Sequence, residues 1–384
     1  MKSFSRILTT ALVITSALSS CQKDKETPLK AQLNVPSTYE FQRNGQTSVD
    51  IGGQVTRQNM LKEINDYLFS ATTGAMPDKQ RLLNMYENLN NPFADPALNA
   101  SGKKLSDKTS ASETHAVNSG VAKQYLIDIL SRAADASTKL TPVAAKGNSG
   151  IVSNPTTNKT YFVDEKGIEY TQQFQKSVMG SVFMDQLVNG YLSDTKLNVD
   201  NEKLEDQKNF TEMEHHWDEA FGYFSKEKDF KLTGDPNPGY WGGYVRGIED
   251  PFKSGSKVYA AFRTGRAAIV AKDYTERDKQ RDIIRQEMEL VCAVKAVHYL
   301  EEFKSELAEG NIAEAFHELS EGLGFIYSLR YAASGKVSAS KSNEWMNKLI
   351  AGDGFYASDI STTRIPQLRS EILAVYGLDA SKTY

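Results

Sequence analysis

Apolar residues recur at every third or fourth position along most of the chain, which is the spacing of one buried face of an α-helix. In residues 55–71, for example, Met60, Leu61, Ile64 and Leu68 follow this period. The same spacing predicts further helices over the segments 78–89, 119–136, 168–193, 208–226, 254–273, 276–308, 311–334, 340–350 and 362–376. The pattern therefore predicts an all-α protein.

One segment near the N-terminus has a β pattern instead. Tyr39 and Phe41 alternate with polar residues, Asn44-Gly45 is typical of a type I′ turn, and Val49 and Ile51 alternate again after it. A small β-hairpin is predicted there. Irregular segments rich in Gly, Pro, Asn or Ser are predicted over 90–110, 141–160 and 232–252.

Helices on either side of about residue 200 predict two packed helical bundles. The predicted divisions are a signal peptide over 1–20, a flexible tether over 21–35, the β-hairpin with an N-terminal bundle over 36–200, and a C-terminal bundle over 201–384. Within the second bundle, Gly310 ends one helix and Asn311 is expected to cap the next, which predicts a tight αα-hairpin.

The N-terminus has the pattern of a lipoprotein signal. Lys2 and Arg6 precede a short apolar stretch, and Leu18-Ser19-Ser20-Cys21 resembles the bacterial lipobox. We therefore expect acylation of Cys21, a membrane partner reached through that lipid anchor, and an outer-membrane location on the periplasmic or the surface-exposed face. The other cysteine, Cys292, lies in an apolar helical stretch and is expected to be a buried free thiol.

The charge balance excludes one class of partner. There are 45 Lys and Arg against 49 Asp and Glu, for a formal net charge of −4. No basic face of the size that nucleic acid requires is present, so no nucleic-acid partner is expected.

Histidine and carboxylate pairs at helical spacing are the candidate chemistry. His216 and Glu219 form one pair, and His317 and Glu321 lie one turn apart in another helix. Facing helices that carry such pairs build carboxylate-bridged metal sites, and these ligands suit iron or zinc. In that interpretation the four side chains converge. The alternative is that they belong to an ordinary helix edge; His115 is the one histidine with no acid at this spacing.

Three aromatic residues of the 232–252 segment allow a different function. Tyr240, Trp241 and Tyr244 are expected either to stack on a sugar or to fill the gap between the two bundles. No Gly-x-Ser-x-Gly elbow and no His-Glu-x-x-His zinc helix occurs in the sequence, so hydrolase chemistry has no positive signature.

Four stretches together resemble one family of bacterial lipoproteins, domain of unknown function 4856: residues 39–61, 98–109, 213–224 and 316–331. That family is similar to the imelysin-like group, whose members are two-bundle helical envelope proteins often associated with iron acquisition. His216 and Glu219 match the Gly-x-His-x-x-Glu motif of imelysins, but Glu214 replaces its glycine.

The resemblance implies a lipid-anchored ligand-binding protein linked to uptake of iron, as the metal or as a complex. Two alternatives remain open. One is a metal-dependent hydrolase of imelysin type with Glu219 or Glu321 as general base. The other is a glycan-capturing surface lipoprotein that serves an outer-membrane transporter and uses Tyr240, Trp241 and Tyr244.

Overall fold

The computed structural model of the chain describes residue 1, residues 33–234 and residues 238–384. Helices dominate these residues, as the apolar period predicts. They are α1 (Gly52–Phe69), α2 (Lys79–Glu87), α3 (Pro96–Ala100), α4 (Ser119–Ser137), α5 (Tyr170–Val178), α6 (Asp194–Leu197), α7 (Glu212–Phe224), α8 (Tyr240–Arg246), α9 (Glu249–Phe252), α10 (Ser254–Val270), α11 (Tyr274–Ala308), α12 (Ile312–Ser328), α13 (Ala339–Ile350) and α14 (Ile365–Tyr376).

The predicted N-terminal β-hairpin is present and is small. It pairs β1 (Gln42–Arg43) with β2 (Gln46–Thr47) in antiparallel register. Asn44 and Gly45 both have positive φ, at 54° and 76°, as a type I′ turn requires.

A second hairpin lies where an irregular link is predicted. Strands β3 (Gly150–Asn154) and β4 (Lys159–Val163) pair in antiparallel register inside and just beyond the 141–160 segment. The prediction was wrong because polar residues such as Asn154 and Lys159 hide the strand signal. The strands are instead stabilised by packing on α12, and tertiary contacts of this kind outweigh β propensity.

Helices α10, α11 and α12 pack consecutively and form the centre of the molecule. The 35-residue α11 ends before Gly310, whose φ of 82° suits glycine, and α12 returns directly. The tight αα-hairpin is confirmed, but the expected cap is not. The Asn311 side chain donates to the Glu306 carboxylate and does not cap α12.

Helix α5 continues without a break into a π-helical segment, Met179–Tyr191. Nearly every side chain in this stretch is buried, between α7 on one side and α12 on another. π-Helical turns are rare and occur frequently at functional sites. The polar residues Asp185, Gln186 and Asn189 are buried within this otherwise apolar stretch.

Residues Leu33–Tyr384 form one compact unit. Helices from the two sides of residue 200 pack directly on each other, as α1 does on α7 and α5 does on α12. The boundary near residue 200 therefore does not divide this unit into separate bodies. None of the helices in the described ranges combines the length and the apolar character that a membrane crossing requires.

Candidate functional site

Helix α7 carries the sequence motif around His216 and is fixed at its start by a capping box. The Thr211 hydroxyl accepts from the Glu214 amide, and the Glu214 carboxylate accepts from the Thr211 amide. Farther along α7, the Trp217 indole is fully buried and donates to the Phe262 carbonyl of α10 at 2.9 Å. These contacts set the orientation of the helix.

Two of the acids on α7 are structural. Glu214 and Asp218 both pair with the buried guanidinium of Arg266, at 2.8 and 3.0 Å. Asp218 also accepts from the Tyr39 hydroxyl at 2.7 Å. Burial raises the pKa of Asp218 to about 6, although Arg266 opposes the rise. Glu214 stands at the position of the motif glycine and ties α7 to the β-hairpin through Arg43.

His216 and Glu219 project from α7 into a polar cavity. The His216 Nδ1 lies 2.7 Å from the Lys196 carbonyl, so Nδ1 carries the proton and donates. Burial lowers the pKa of His216, which keeps the imidazole neutral at pH 7. One oxygen of Glu219 accepts from the Gln54 amide at 3.0 Å.

His317 and Glu321 belong to a buried ionic cluster in another part of the fold. The His317 Nδ1 lies 2.7 Å from Glu169, and its Nε2 lies 3.5 Å from Glu321. Glu321 also accepts from the Lys176 ammonium at 3.0 Å and from the Tyr244 hydroxyl at 3.1 Å. Every charge of the cluster therefore has an opposite partner.

The charge on His317 is stabilised by this cluster. Burial alone would lower the pKa of His317, but hydrogen bonds to Glu169 and Glu321 outweigh it and raise that pKa to about 10. Burial likewise opposes the charge of Glu321, while Lys176 and His317 outweigh it and lower the pKa of this carboxyl. A carboxylate held this way is a poor general base, which removes Glu321 from that role.

The predicted convergence of the four residues is wrong. Tyr191 lies beside His216, with ring centroids 6.3 Å apart, whereas Lys176 contacts Glu321. Lys176 and Tyr191 lie 15 residues apart along the α5 and π-helical stretch, which is roughly 20 Å at about 1.5 Å per residue. Metal–ligand bonds are about 2 Å long, so the two pairs cannot hold one ion.

The residues of neither pair fit a metal. Both nitrogens of His317 face carboxylates as donors, and an ammonium occupies the side of Glu321 that a cation would need. Among the described residues, no group of three or more His, Cys, Asp or Glu side chains is placed to hold a metal ion. His216 and Glu219 alone supply too few ligands for iron or zinc.

The aromatic residues near 240 are not arranged for stacking on a sugar. They lie on α8, a short helix that forms where an irregular segment is predicted. Trp241 is 0 % exposed and donates to the Met179 carbonyl at 3.0 Å. Tyr244 packs on Phe325 and binds Glu321, and half-buried Tyr240 packs on Phe183. Of the two predictions, filling the gap between helices is the one that fits.

The structure describes only one of the two cysteines. Cys292 is a buried free thiol, as predicted, and burial raises its pKa well above the ordinary value. Cys21, the predicted lipidation site, lies outside the residues that the structure describes.

The structure places a further candidate site at His115. His115 Nδ1 lies 2.7 Å from Asp185, a carboxyl of the π-helical segment that is 0 % exposed. Asp185 also accepts from the amide and the hydroxyl of Ser112, at 3.0 and 2.6 Å. With Nδ1 oriented this way, Nε2 on the other edge of the ring is available to a molecule beside it.

His115 lies in the wall of a cavity of about 400 Å³, which we call the tyrosine pocket. Its walls combine apolar and polar side chains from the 110–125 region, the 327–338 region and the start of α13: Ser110, His115, Asn118, Val121, Ala122, Tyr125, Tyr327, Arg330, Tyr331, Gly335, Val337, Ser338, Ala339 and Asn343. Tyr327 lies between Arg330, at 4.2 Å from its ring centroid, and Tyr125, whose ring is stacked at 4.3 Å.

Sequence reasoning missed this pocket because its central pair spans 70 residues. No acid lies three or four residues from His115, which removed it from the histidine–carboxylate pairs. One signal was available: Asp185 is a lone acid in a long apolar helical stretch, and a buried acid there requires a partner.

Comparison with known proteins agrees with the resemblance noted in the sequence. A family model described as "Domain of unknown function (DUF4856)" matches residues 36–379. No curated protein and no solved structure matches the chain.

Proposed function

The chain belongs to the DUF4856 family, and we propose that it is a lipid-anchored ligand-binding protein of the cell envelope that holds a small amphipathic organic acid in the tyrosine pocket. The single observation that carries the proposal is His115, held by the fully buried Asp185, in the wall of an otherwise largely apolar cavity. Small-molecule sites combine apolar walls with a few oriented polar groups in this way.

The size and the walls of the pocket favour a small organic molecule. Its volume of about 400 Å³ lies within the range of about 300–1,000 Å³ that is usual for such sites. Val121 at its edge is 72 % exposed, and nearby Val117 is 88 % exposed, so apolar surface continues at the opening. A ligand with an apolar body would cover that surface.

The charges favour an acid. No Asp or Glu is among the described residues that line the pocket, whereas Arg330 is. Ser338 and Ala339 bring the N-terminal end of the 12-residue α13 to the same wall. A helix N-terminus favours anions, so a guanidinium and a helix dipole act together on an acidic group.

The proposed link to iron rests on the family resemblance alone. The described histidine and carboxylate pairs do not fit a bare ion. An iron complex whose organic ligand has an apolar body and a free acidic group belongs to the class proposed here, and it is the form in which iron would enter the tyrosine pocket.

The binding part of the proposal is tested with the fluorescent dye anilinonaphthalene sulfonate, which has an apolar body and one acidic group. The protein is the full chain with Cys21→Ala, which lacks the acylation site. Ala339→Trp fills the pocket from an exposed position, and Ala271→Trp places the same side chain at an exposed position outside it. We expect saturable binding that Ala339→Trp weakens by about tenfold or more and that Ala271→Trp leaves unchanged. Equal binding by all three proteins would contradict the assignment.

The anchor is tested separately by fractionation. Acylation requires the Cys21 thiol, so Cys21→Ala should move the protein from the membrane fraction to the soluble fraction. The comparison is made at high salt and without detergent, with Cys292→Ala as the control. A Cys21→Ala protein that still sediments with membranes would contradict the anchor.

A further inference from the structure

The cavity beside His216 is separate from the tyrosine pocket. It has a volume of about 330 Å³, and we call it the lysine pocket. Its walls come from the 108–113 region, the π-helical segment, the 193–196 region and α7: Lys108, Ala111, Ser112, Glu113, Gln186, Asn189, Gly190, Tyr191, Ser193, Lys196, His216 and Glu219. Most of these side chains are polar, in contrast to the tyrosine pocket.

A buried tyrosine hydroxyl in this wall makes no hydrogen bond of normal geometry, although the Glu219 carboxylate is its neighbour. Tyr191 is 5 % exposed, and its hydroxyl makes no hydrogen bond within the described residues. Burial raises the pKa of Tyr191, and the neighbouring Tyr223 and Glu219 raise it further, so the hydroxyl keeps its proton. An unpaired buried donor is destabilising, and a bound acceptor would satisfy it.

Two ammonium groups reach the same pocket. Lys108 lies 5.1 Å from the centre of the Tyr191 ring, and Lys196 is in the wall. Burial lowers the pKa of Lys108, and Arg57 and Lys196 lower it further, whereas Glu219 opposes them. Burial is the main cause of this shift, and the two glutamates in the wall, Glu113 and Glu219, face the two lysines. An oxyanion placed between the two ammonium groups would be attracted by both.

The same pocket also supplies acceptors. His216 donates through Nδ1 to Lys196, so its Nε2 is an acceptor in the neutral ring. The Glu219 carboxylate is a second acceptor in the wall. A ligand that fits this set of groups carries both an oxyanion and hydroxyl donors.

We propose that the lysine pocket binds a sugar acid, with its carboxylate between Lys108 and Lys196 and its hydroxyls bonded to Tyr191, His216 and Glu219. The volume of about 330 Å³ lies at the lower end of the range for small-molecule sites, which suits a ligand of one sugar ring. The site uses His216 and Glu219 for hydrogen bonding and requires no metal.

Binding of D-glucuronate by the full chain with Cys21→Ala tests the proposal, by titration calorimetry. Glucose has the hydroxyls without the charge, and acetate has the charge without the hydroxyls. We expect glucuronate to bind and both controls to bind at least about tenfold more weakly. Glucose or acetate binding as tightly as glucuronate, or no glucuronate binding at about 10 mM, would overturn the proposal.

Two matched tyrosine variants locate the site. Tyr191→Phe removes only the hydroxyl in the pocket wall and should weaken glucuronate binding by about tenfold. Tyr223→Phe removes a neighbouring buried hydroxyl that makes no hydrogen bond of normal geometry within the described residues and does not line the pocket, and it should leave binding unchanged. Equal effects of the two variants would overturn the assignment. Ala339→Trp, which fills the tyrosine pocket, should not alter glucuronate binding.

Discussion

Single residues show how one spacing in sequence leads to different chemistry. His216 and His317 each have an acid within one turn, yet one is a neutral hydrogen-bonding group and the other a buried cation. The difference comes from Glu169, which contacts His317 across 148 residues of sequence. Spacing along a helix predicts neighbours on that helix and says nothing of the groups that pack against it.

The ion pairs that His317 makes with two carboxylates predict a loss of protein stability at high pH. Because its pKa in the folded state is about 10, above the ordinary 6.5, this stabilisation is fully present below pH 6.5 and is lost as the pH rises through about 10. Each pKa unit corresponds to about 1.4 kcal/mol, so the effect amounts to several kcal/mol at most.

His317→Gln is the variant for this measurement, because glutamine keeps a hydrogen-bond donor and does not titrate. Urea unfolding of both proteins from about pH 6 to pH 10 gives the difference in the free energy of unfolding. That difference should be largest near pH 6 and should shrink toward pH 10. A difference that is constant across this range would contradict the charged state of His317.

Asp185 predicts a second residue-scale effect. Asp185→Ala leaves three buried donors of Ser112 and His115 without an acceptor. We expect a loss on the order of 3 kcal/mol in the free energy of unfolding, measured by urea unfolding. Asp194→Ala is the control, because its carboxylate is 78 % exposed and pairs at the surface with Arg281. Similar small losses in both variants would show that the Asp185 network is not structural.

At the scale of elements, close packing of α7 on α10 depends on one glycine. A Cβ added to Gly265 would lie 2.1 Å from the Trp217 indole, which is fixed by its own hydrogen bond. Gly265→Ala should therefore lower the free energy of unfolding by about 1–3 kcal/mol through overpacking.

The control for this packing is a glycine in an open position. Gly120 lies in the first turn of α4, with nothing within 4 Å of an added Cβ. Gly120→Ala should raise the free energy of unfolding by about 0.5–1 kcal/mol, because alanine loses less backbone entropy on folding. If urea unfolding gives the same sign for both substitutions, the close approach of Trp217 to α10 is not the cause.

Most helices were predictable from the sequence because their signal is local. The predicted 276–308 and 340–350 helices correspond to Tyr274–Ala308 and Ala339–Ile350. Helix α8 and the second hairpin were missed, since Gly-rich and polar segments carry no clear period. Their stability comes from burial against other elements, such as Trp241 donating to Met179.

At the scale of the whole molecule, the all-α class was predictable and the sites were not. The helical spacing of apolar residues within each segment is enough to predict the fold class. Each pocket, in contrast, depends on contacts between segments that are distant in sequence. His115 meets Asp185 across 70 residues, and the lysine pocket joins residues from 108 to 219. The predicted convergence of His216 and His317 failed for the same reason. His216 packs beside Tyr191, whereas Glu321, the partner of His317, contacts Lys176 at another point of the α5 and π-helical stretch.

The central claim is that the tyrosine pocket is the ligand site, and its most direct test is the position of a bound organic acid. A crystal structure of the full chain with Cys21→Ala in complex with anilinonaphthalene sulfonate gives that position. We predict that the aromatic rings of the dye lie between Tyr125 and Val337. Its sulfonate should lie beside Arg330 and the N-terminus of α13. Dye bound elsewhere, with the tyrosine pocket unoccupied, would contradict the account.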